Sequence, residues 1–187
     1  MGAGVRGGRG DPPPLDRERL ERMAINYVGR YSTTRAKLRT YLDRKLRERG
    51  WAGEGLPDPA ALAERLAEIG YIDDAAFAAA RGASLTRRGY GASRVGLALR
   101  AAGIEEQDAR PVKATAGREA WTAALAFARR RRIGPFAREA GDRDDQRRWI
   151  AAMLRAGHRS DFARLLASAL PGEEPDTPDA EYLVEDG

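Results

Sequence analysis

Residues 70–104 read GYIDDAAFAAARGASLTRRGYGASRVGLALRAAGI. Asp73 is placed to cap a helix, and Asp74 in its first turn suits the positive end of the dipole. The spacing of Phe77, Ala80 and Leu85 predicts a helix over about 74–87, with these residues near its apolar side. GYG breaks it. Ser93 opens a short second helix containing Val95, Leu97 and Leu99, and Gly103 ends that one. Gly89 and Gly91 are expected to allow a tight reversal between the two helices, with Tyr90 pinning it. Nothing here alternates with period two, so the local unit is helix, turn, helix.

The same grammar extends in both directions. Upstream, Leu20, Met23, Ala24, Tyr27 and Val28 predict a helix over about 15–29. Ser32, Thr33 or Thr34 can cap the next, about 34–49, with Leu38, Leu42 and Leu46 at four-residue intervals and Gly50 as its stop. Asp58 then caps a helix whose first residue is Pro59, where the ring's fixed φ and missing N–H do no harm. Leu62, Leu66 and Ile69 supply its apolar side and Gly70 ends it. Downstream, Glu105–Ala109 reads as one turn of helix. Longer helices follow over about 116–132 (Trp121, Ala124, Leu125, Ala128 inward), 142–156 (Trp149, Ile150, Met153, Leu154) and 160–169 (Phe162, Leu165, Leu166). The chain is therefore read as all-α.

Composition agrees. Of 187 residues, 42% are hydrophobic and 33% charged, with Ala and Arg prominent and β-branched residues few. There is no cysteine and one histidine, His158, which excludes disulfides, thiolate chemistry and cysteine-based metal sites. No metal and no cofactor are expected. No apolar run approaches the roughly 18 residues of a membrane span, so no membrane partner is expected and the cytoplasm is the expected compartment. The net charge is +5, but residues 173–187 hold seven acids and no Lys or Arg, leaving residues 1–172 at +12. A basic body beside an acidic segment points to a polyanionic partner; an Arg- and Ala-rich codon bias is the plain alternative. Residues 1–14 are a Gly/Pro/Arg-rich arm and 171–187 an acidic tail, both expected to be disordered.

An internal repeat is visible. RYSTTRAKLRTYL (Arg30–Leu42), RGYGASRVGLAL (Arg88–Leu99) and AGHRSDFARLL (Ala156–Leu166) each join an aromatic residue or His to a small or polar turn and then a helix. Gaps of roughly 60 residues leave room for three helices per unit. The expected division is 15–56, 57–110 and 111–170. At this point the residues resemble the RecX family, regulators of the bacterial RecA recombinase. The resemblance rests on GYIDD-x3-FA (Gly70–Ala78), Arg81, RRGYG (Arg87–Gly91), R-V-x3-L-R-x2-GI (Arg94–Ile104) and the upstream YSTTRAKLRTYLDRKLRERGW. It implies three tandem three-helix repeats in an elongated, curved molecule without catalytic activity. It also implies binding in the groove of the RecA–single-stranded DNA filament. Suppression of strand exchange, ATPase and coprotease activity would follow, with direct binding of single- or double-stranded DNA besides, and so a part in the SOS response. A monomer is expected. The third repeat departs from the family's Arg-Gly-Phe turn, showing Ala156-Gly157-His158 instead.

The candidate contacts to recombinase or DNA are arginines and one aromatic residue. Arg87, Arg88 and Arg94 flank the GYG turn, where guanidinium groups engage phosphates or carboxylates; the alternative is that Arg87 and Arg88 only complement a helix C-terminus. Arg100 lies on the following helix. Tyr90 either stacks on a base or packs between units. Arg129 and Arg130 belong to RRRR at residues 129–132, read as four helical positions pointing to all sides: an electrostatic clamp, or a solvated helix end. Arg35 and Arg39, at i, i+4, share a face that is either a basic contact surface or simply solvated. Asp73 and Asp74 are read as a cap and a dipole partner, not a catalytic pair, and His158 as a turn residue without a partner. No phosphate-loop, dinucleotide, HExxH or GxSxG pattern occurs. The competing functional reading is a stand-alone helix-turn-helix DNA-binding regulator, for which 34–42 offers Arg35 and Arg39 near a helix start.

Overall fold

The caps set most of the element boundaries. The structure, a computed structural model, describes residues 12–178, and among them are nine α-helices and one 3-10 turn. The helix α1 runs Arg17–Val28 behind the cap Asp16, whose carboxylate accepts from Arg19 N–H. Next comes α2, Arg35–Arg49, capped by Thr34 through Lys37 N–H. In α3, Pro59–Glu68, Asp58 is the cap and Pro59 the first residue, as the sequence predicts. The helices α4 (Asp74–Arg87) and α5 (Ala92–Ala101) flank the GYG turn. After them come α6 (Glu106–Arg118), α7 (Ala120–Arg131), a 3-10 turn at Gly134–Phe136, α8 (Arg143–Arg155) and α9 (Ser160–Ser168). Asp142 begins α8 with a capping box shared with Asp145.

Three expectations fail in instructive ways. The single turn expected at 105–109 is a full helix, α6, which runs through Pro111 to Arg118; α7 starts four residues later than expected, after a break at Glu119. An interior proline forfeits one ladder bond and costs about 3 kcal/mol. Burial of Ala109 and Ala116 on one face of α6, with Val112 packed beside them, offsets this. The second failure concerns the apolar faces. Ile69, Leu97, Leu154 and Leu165 are exposed, because each helix buries a narrower stripe than its sequence offers: Val95 and Leu99 on α5, Met153 on α8, Phe162 and Leu166 on α9. The first helix also begins two residues late. Leu15 is instead fully buried in an isolated parallel bridge to Trp51, with Leu15 N–H donating to Gly50 O and Ala52 N–H to Leu15 O.

Buried residues fall into three clusters. One joins Leu15, Leu20, Ala24, Leu38, Leu42, Leu62, Leu66 and Ile72, so α3, assigned above to the middle unit, packs with α1 and α2. Another joins Ala78, Leu85, Val95, Leu99, Ile104, Ala109 and Ala116 from α4 to α6. The third joins Trp121, Ala124, Phe127, Ile133, Met153, Phe162 and Leu166 from α7 to α9; Trp121 and Phe162 meet edge to face at 5.2 Å. By compactness the chain divides into two units at Asp74/Ala75. Residues 1–11 and 179–187, including the Tyr182–Val184 stretch, lie outside the described residues. Pro12–Pro14 are described, and Pro13 O accepts from Arg49 Nε and Nη2.

Candidate functional site

Five helices close with one backbone motif. In it a residue one or two past the last helical position is left-handed, and two amides fold back onto the final turn. At the end of α4, Gly89 N–H donates to Thr86 O and Tyr90 N–H to Leu85 O, with Gly89 at φ +67°. At the end of α8, Gly157 N–H donates to Leu154 O and His158 N–H to Met153 O, with Gly157 at φ +88°. Gly70 and Gly103 do the same for α3 and α5, and Arg132 for α7.

The α4 and α8 turns are docked on each other. Gly91 N–H donates to Ala156 O at 3.0 Å. A Cβ at Gly91 would stand 2.1 Å from Gly157 O, and one at Gly157 would stand 2.4 Å from Arg94 N. Gly91 itself is in an ordinary extended conformation, φ −75°. Its expected role in reversing the chain is therefore corrected: Gly89 turns the backbone, whereas Gly91 is glycine for space. Tyr90 is half-buried and packs against both clusters of this unit, which is the packing alternative.

His158 has the partner that the sequence did not reveal. It is buried, its Nε2–H donates to Gly89 O at 3.0 Å, and its ring lies 5.1 Å from Phe127. Among the described residues Nδ1 has no hydrogen-bond partner. Burial, and to a lesser degree the Arg130 charge, pull the imidazole pKa from 6.5 down to about 4 against the Gly89 bond. The ring is neutral at physiological pH and holds the two turns together.

This clasp collects arginines from separate parts of the chain. Arg87 and Arg88 immediately precede Gly89, and both are exposed. Arg94 is exposed on the first turn of α5, its backbone against Gly157. Arg130 arrives from α7: its Nη2 lies 3.0 Å from the point where a Gly89 Cβ would stand. Among the described residues no carboxylate lies within ion-pair distance of Arg87, Arg88, Arg94, Arg100 or Arg130. Exposed Arg100 lies on the last turn of α5, near Lys113 across Gly96. Arg129 stacks over Phe136 at 4.8 Å and pairs with Glu174 at 3.2 Å. The four-arginine run is not wholly helical: α7 stops at Arg131, and Arg132 is left-handed.

The arginines of α2 are placed differently. Arg35 is mostly covered. Its Nε donates to Asp74 Oδ2 at 3.0 Å, its Nη1 to Glu64 Oε2 at 2.9 Å, and its backbone N–H to Asp74 Oδ1. Both carboxylates push the guanidinium further toward its charged form. Arg35 is thus an internal tie rather than an open contact, and Asp74, expected only to suit its own helix dipole, also caps α2. Asp73 directly precedes α4. Arg39 is exposed and lies 3.7 Å from Asp43. Proximity in sequence could not show that Arg35 and Arg39 differ in this way, since Asp74 lies 39 residues away.

The clasp presents cations without any group of His, Cys, Asp or Glu able to hold a metal among the described residues, and no helix there is long and apolar enough to cross a membrane. Exposed guanidinium groups on an all-helical scaffold are chemically suited to pair with anions. No family model matches the chain. It is 31% identical over 160 residues to the regulatory protein RecX of Myxococcus xanthus, spanning 81% of this chain and 86% of that one. The fold is similar to the crystal structure of RecX from Lactobacillus salivarius (TM-score 0.56, 17% identity, 80% of this chain and 92% of that one). It is also similar to a second crystal structure of regulatory protein RecX (TM-score 0.55, 19% identity, 80% and 70%). The chain belongs to the RecX family of regulatory proteins.

Proposed function

We propose that this protein binds the RecA–single-stranded DNA filament and lowers its recombinase, ATPase and coprotease activities, acting in the cytoplasm as a non-catalytic regulator. The observation that carries the reading is the gathering of Arg87, Arg88, Arg94 and Arg130 around one rigid clasp, exposed and without carboxylate partners among the described residues. Unpaired guanidiniums on a fixed backbone match phosphates and surface carboxylates at low conformational cost. Three helical units, α1–α3, α4–α6 and α7–α9, would be the repeats, a division supported by the three buried clusters. Arg39 and Arg100 are secondary contacts in this reading.

The test is titration into a RecA–single-stranded DNA ATPase assay. The wild-type chain should inhibit. The triple variant Arg87→Ala, Arg88→Ala, Arg94→Ala should need about tenfold more protein or higher, with a shallower dependence on salt. Equal inhibition by the triple variant removes these residues from the interface, and no inhibition by wild type removes the function.

A further inference from the structure

Within the first compact unit, the end of α1 and the middle of α2 build a run of aromatic rings. As the chain leaves α1, Arg30 N–H and Tyr31 N–H both donate to Tyr27 O, at 3.2 and 3.0 Å. That extra turn sets Tyr31 beside Tyr27, with ring centroids 5.3 Å apart and planes tilted by 50°. Tyr27 also stacks on Tyr41 of α2, at 4.3 Å and 18° from parallel. Arg44, three residues on, holds its guanidinium 5.7 Å from the centroid of the Tyr41 ring. Tyr27 and Tyr41 are half-buried against the cluster that holds Leu20, Leu38 and Leu42, so packing accounts for them. Packing does not account for Tyr31, which is 58% exposed at the end of the run.

We propose that Tyr31, backed by Tyr27 and Tyr41, is a stacking platform for the unpaired bases of single-stranded DNA, built from none of the clasp residues. A ring held by its neighbours takes a base on an open face at low conformational cost, whatever the base. The surrounding charge suits the phosphates that come with it. Residues 30–49 hold eight Lys or Arg against two acids, Asp43 and Glu48, which attracts a polyanion and opposes a basic peptide. Arg30, next to Tyr31, is exposed and in no ion pair among the described residues. Arg44 is held by an exposed pair with Glu48 at 3.5 Å, which a phosphate displaces at little cost. A duplex keeps its bases inside the stack, so the platform selects the single strand. The inference rests on the reading above that this chain meets single-stranded DNA. It adds a contact to the bases, which guanidinium groups on phosphates do not supply.

Binding measurements without any recombinase test it. The full-length protein is titrated into two oligomers of equal length and charge, an oligothymidylate and its abasic analogue. The wild-type chain should bind the oligothymidylate about tenfold more tightly. Tyr31→Ala should abolish that preference while leaving the abasic affinity and the dependence on salt unchanged, and Tyr31→Trp should keep or raise it. Tyr71→Ala, at a tyrosine of matching exposure (57%) outside the run, should leave the preference intact. The triple clasp variant should instead weaken both oligomers alike. Equal affinity of the wild-type chain for the two oligomers overturns the proposal, as does an unchanged preference in Tyr31→Ala or an equal loss in Tyr71→Ala. Failure of the chain to inhibit a recombinase, or a triple clasp variant that binds like wild type, would leave the base preference standing, so the two readings fall separately.

Discussion

The ends of α4 and α7 are closed by the same pair of backbone hydrogen bonds, yet glycine holds the left-handed position in one and arginine in the other. The turn of α4 is docked: the backbone of the α8 turn lies against Gly91, and the same turn supplies His158 to Gly89 O. The turn of α7 is open at Arg132, which is exposed. Where backbone meets backbone there is no space for a side chain. Where a turn faces solvent, a side chain is tolerated at the cost of an unfavourable φ. Both ends nonetheless carry arginines, because both present helix carbonyls that favour cations.

The largest expected effect breaks the docked turn. Gly91→Ala introduces a Cβ with no conformational strain of its own, since φ is −75°, but with 2.1 Å to Gly157 O. It should cost roughly 3 kcal/mol or more in chemical denaturation, by forcing the two turns apart. Gly117→Ala, where a Cβ meets nothing within 4 Å, is the matched control and should be neutral or slightly stabilising. Equal stabilities for the two variants would show that the turns are not in contact.

A smaller effect comes from the imidazole inside the clasp. His158 has a folded pKa of about 4 against 6.5 unfolded. Above pH 6.5 both states are neutral and the full stability is present. Between 6.5 and 4 the unfolded chain takes up a proton that the folded chain refuses, and about 3 kcal/mol is lost. His158→Phe gives up the bond to Gly89 O but also removes a buried Nδ1 without a partner among the described residues. It should lie within about 1 kcal/mol of wild type at pH 7 and gain on it steadily as pH falls to 4. Parallel stability curves for the two proteins over that range would contradict a buried neutral histidine.

These contacts mark where sequence reading stops. Thr34, Asp58 with Pro59, Asp142 and the glycine stops are local signals, acting within one turn of chain, and they placed most helices within two residues of the structure. The family resemblance was legible in the same way, from short motifs at fixed spacing. The site was half legible. RRGYG and RRRR stand out, but Arg130 reaches Gly89 across 41 residues (130 − 89). His158 reaches Gly89 across 69 and Glu174 reaches Arg129 across 45. Such pairings depend on packing, which one-dimensional spacing does not encode. The same limit hid the difference between Arg35, neutralised by Asp74 and Glu64, and its i+4 neighbour Arg39. Pro111 misled for the opposite reason: a strong local signal was overridden by burial of the face around it.

The smallest expected effect concerns the open turn. Arg132 is the one residue other than glycine with positive φ among the described residues. The left-handed conformation costs an L-residue about 1–2 kcal/mol, and the greater freedom of unfolded glycine returns part of that on substitution. Arg132→Gly should therefore stabilise by about 0.5–1 kcal/mol. Arg132→Ala keeps the strain while removing the charge, so it should be the less stable of the two by about 1 kcal/mol. If alanine stabilises as much as glycine, relief of repulsion among the four arginines accounts for the gain, and the strained φ contributes nothing. If only glycine stabilises, the chain holds an arginine where its own backbone favours glycine. Such a residue fits the anion-binding surface proposed above rather than the fold, and Arg132→Gly should then lower oligothymidylate affinity while raising stability.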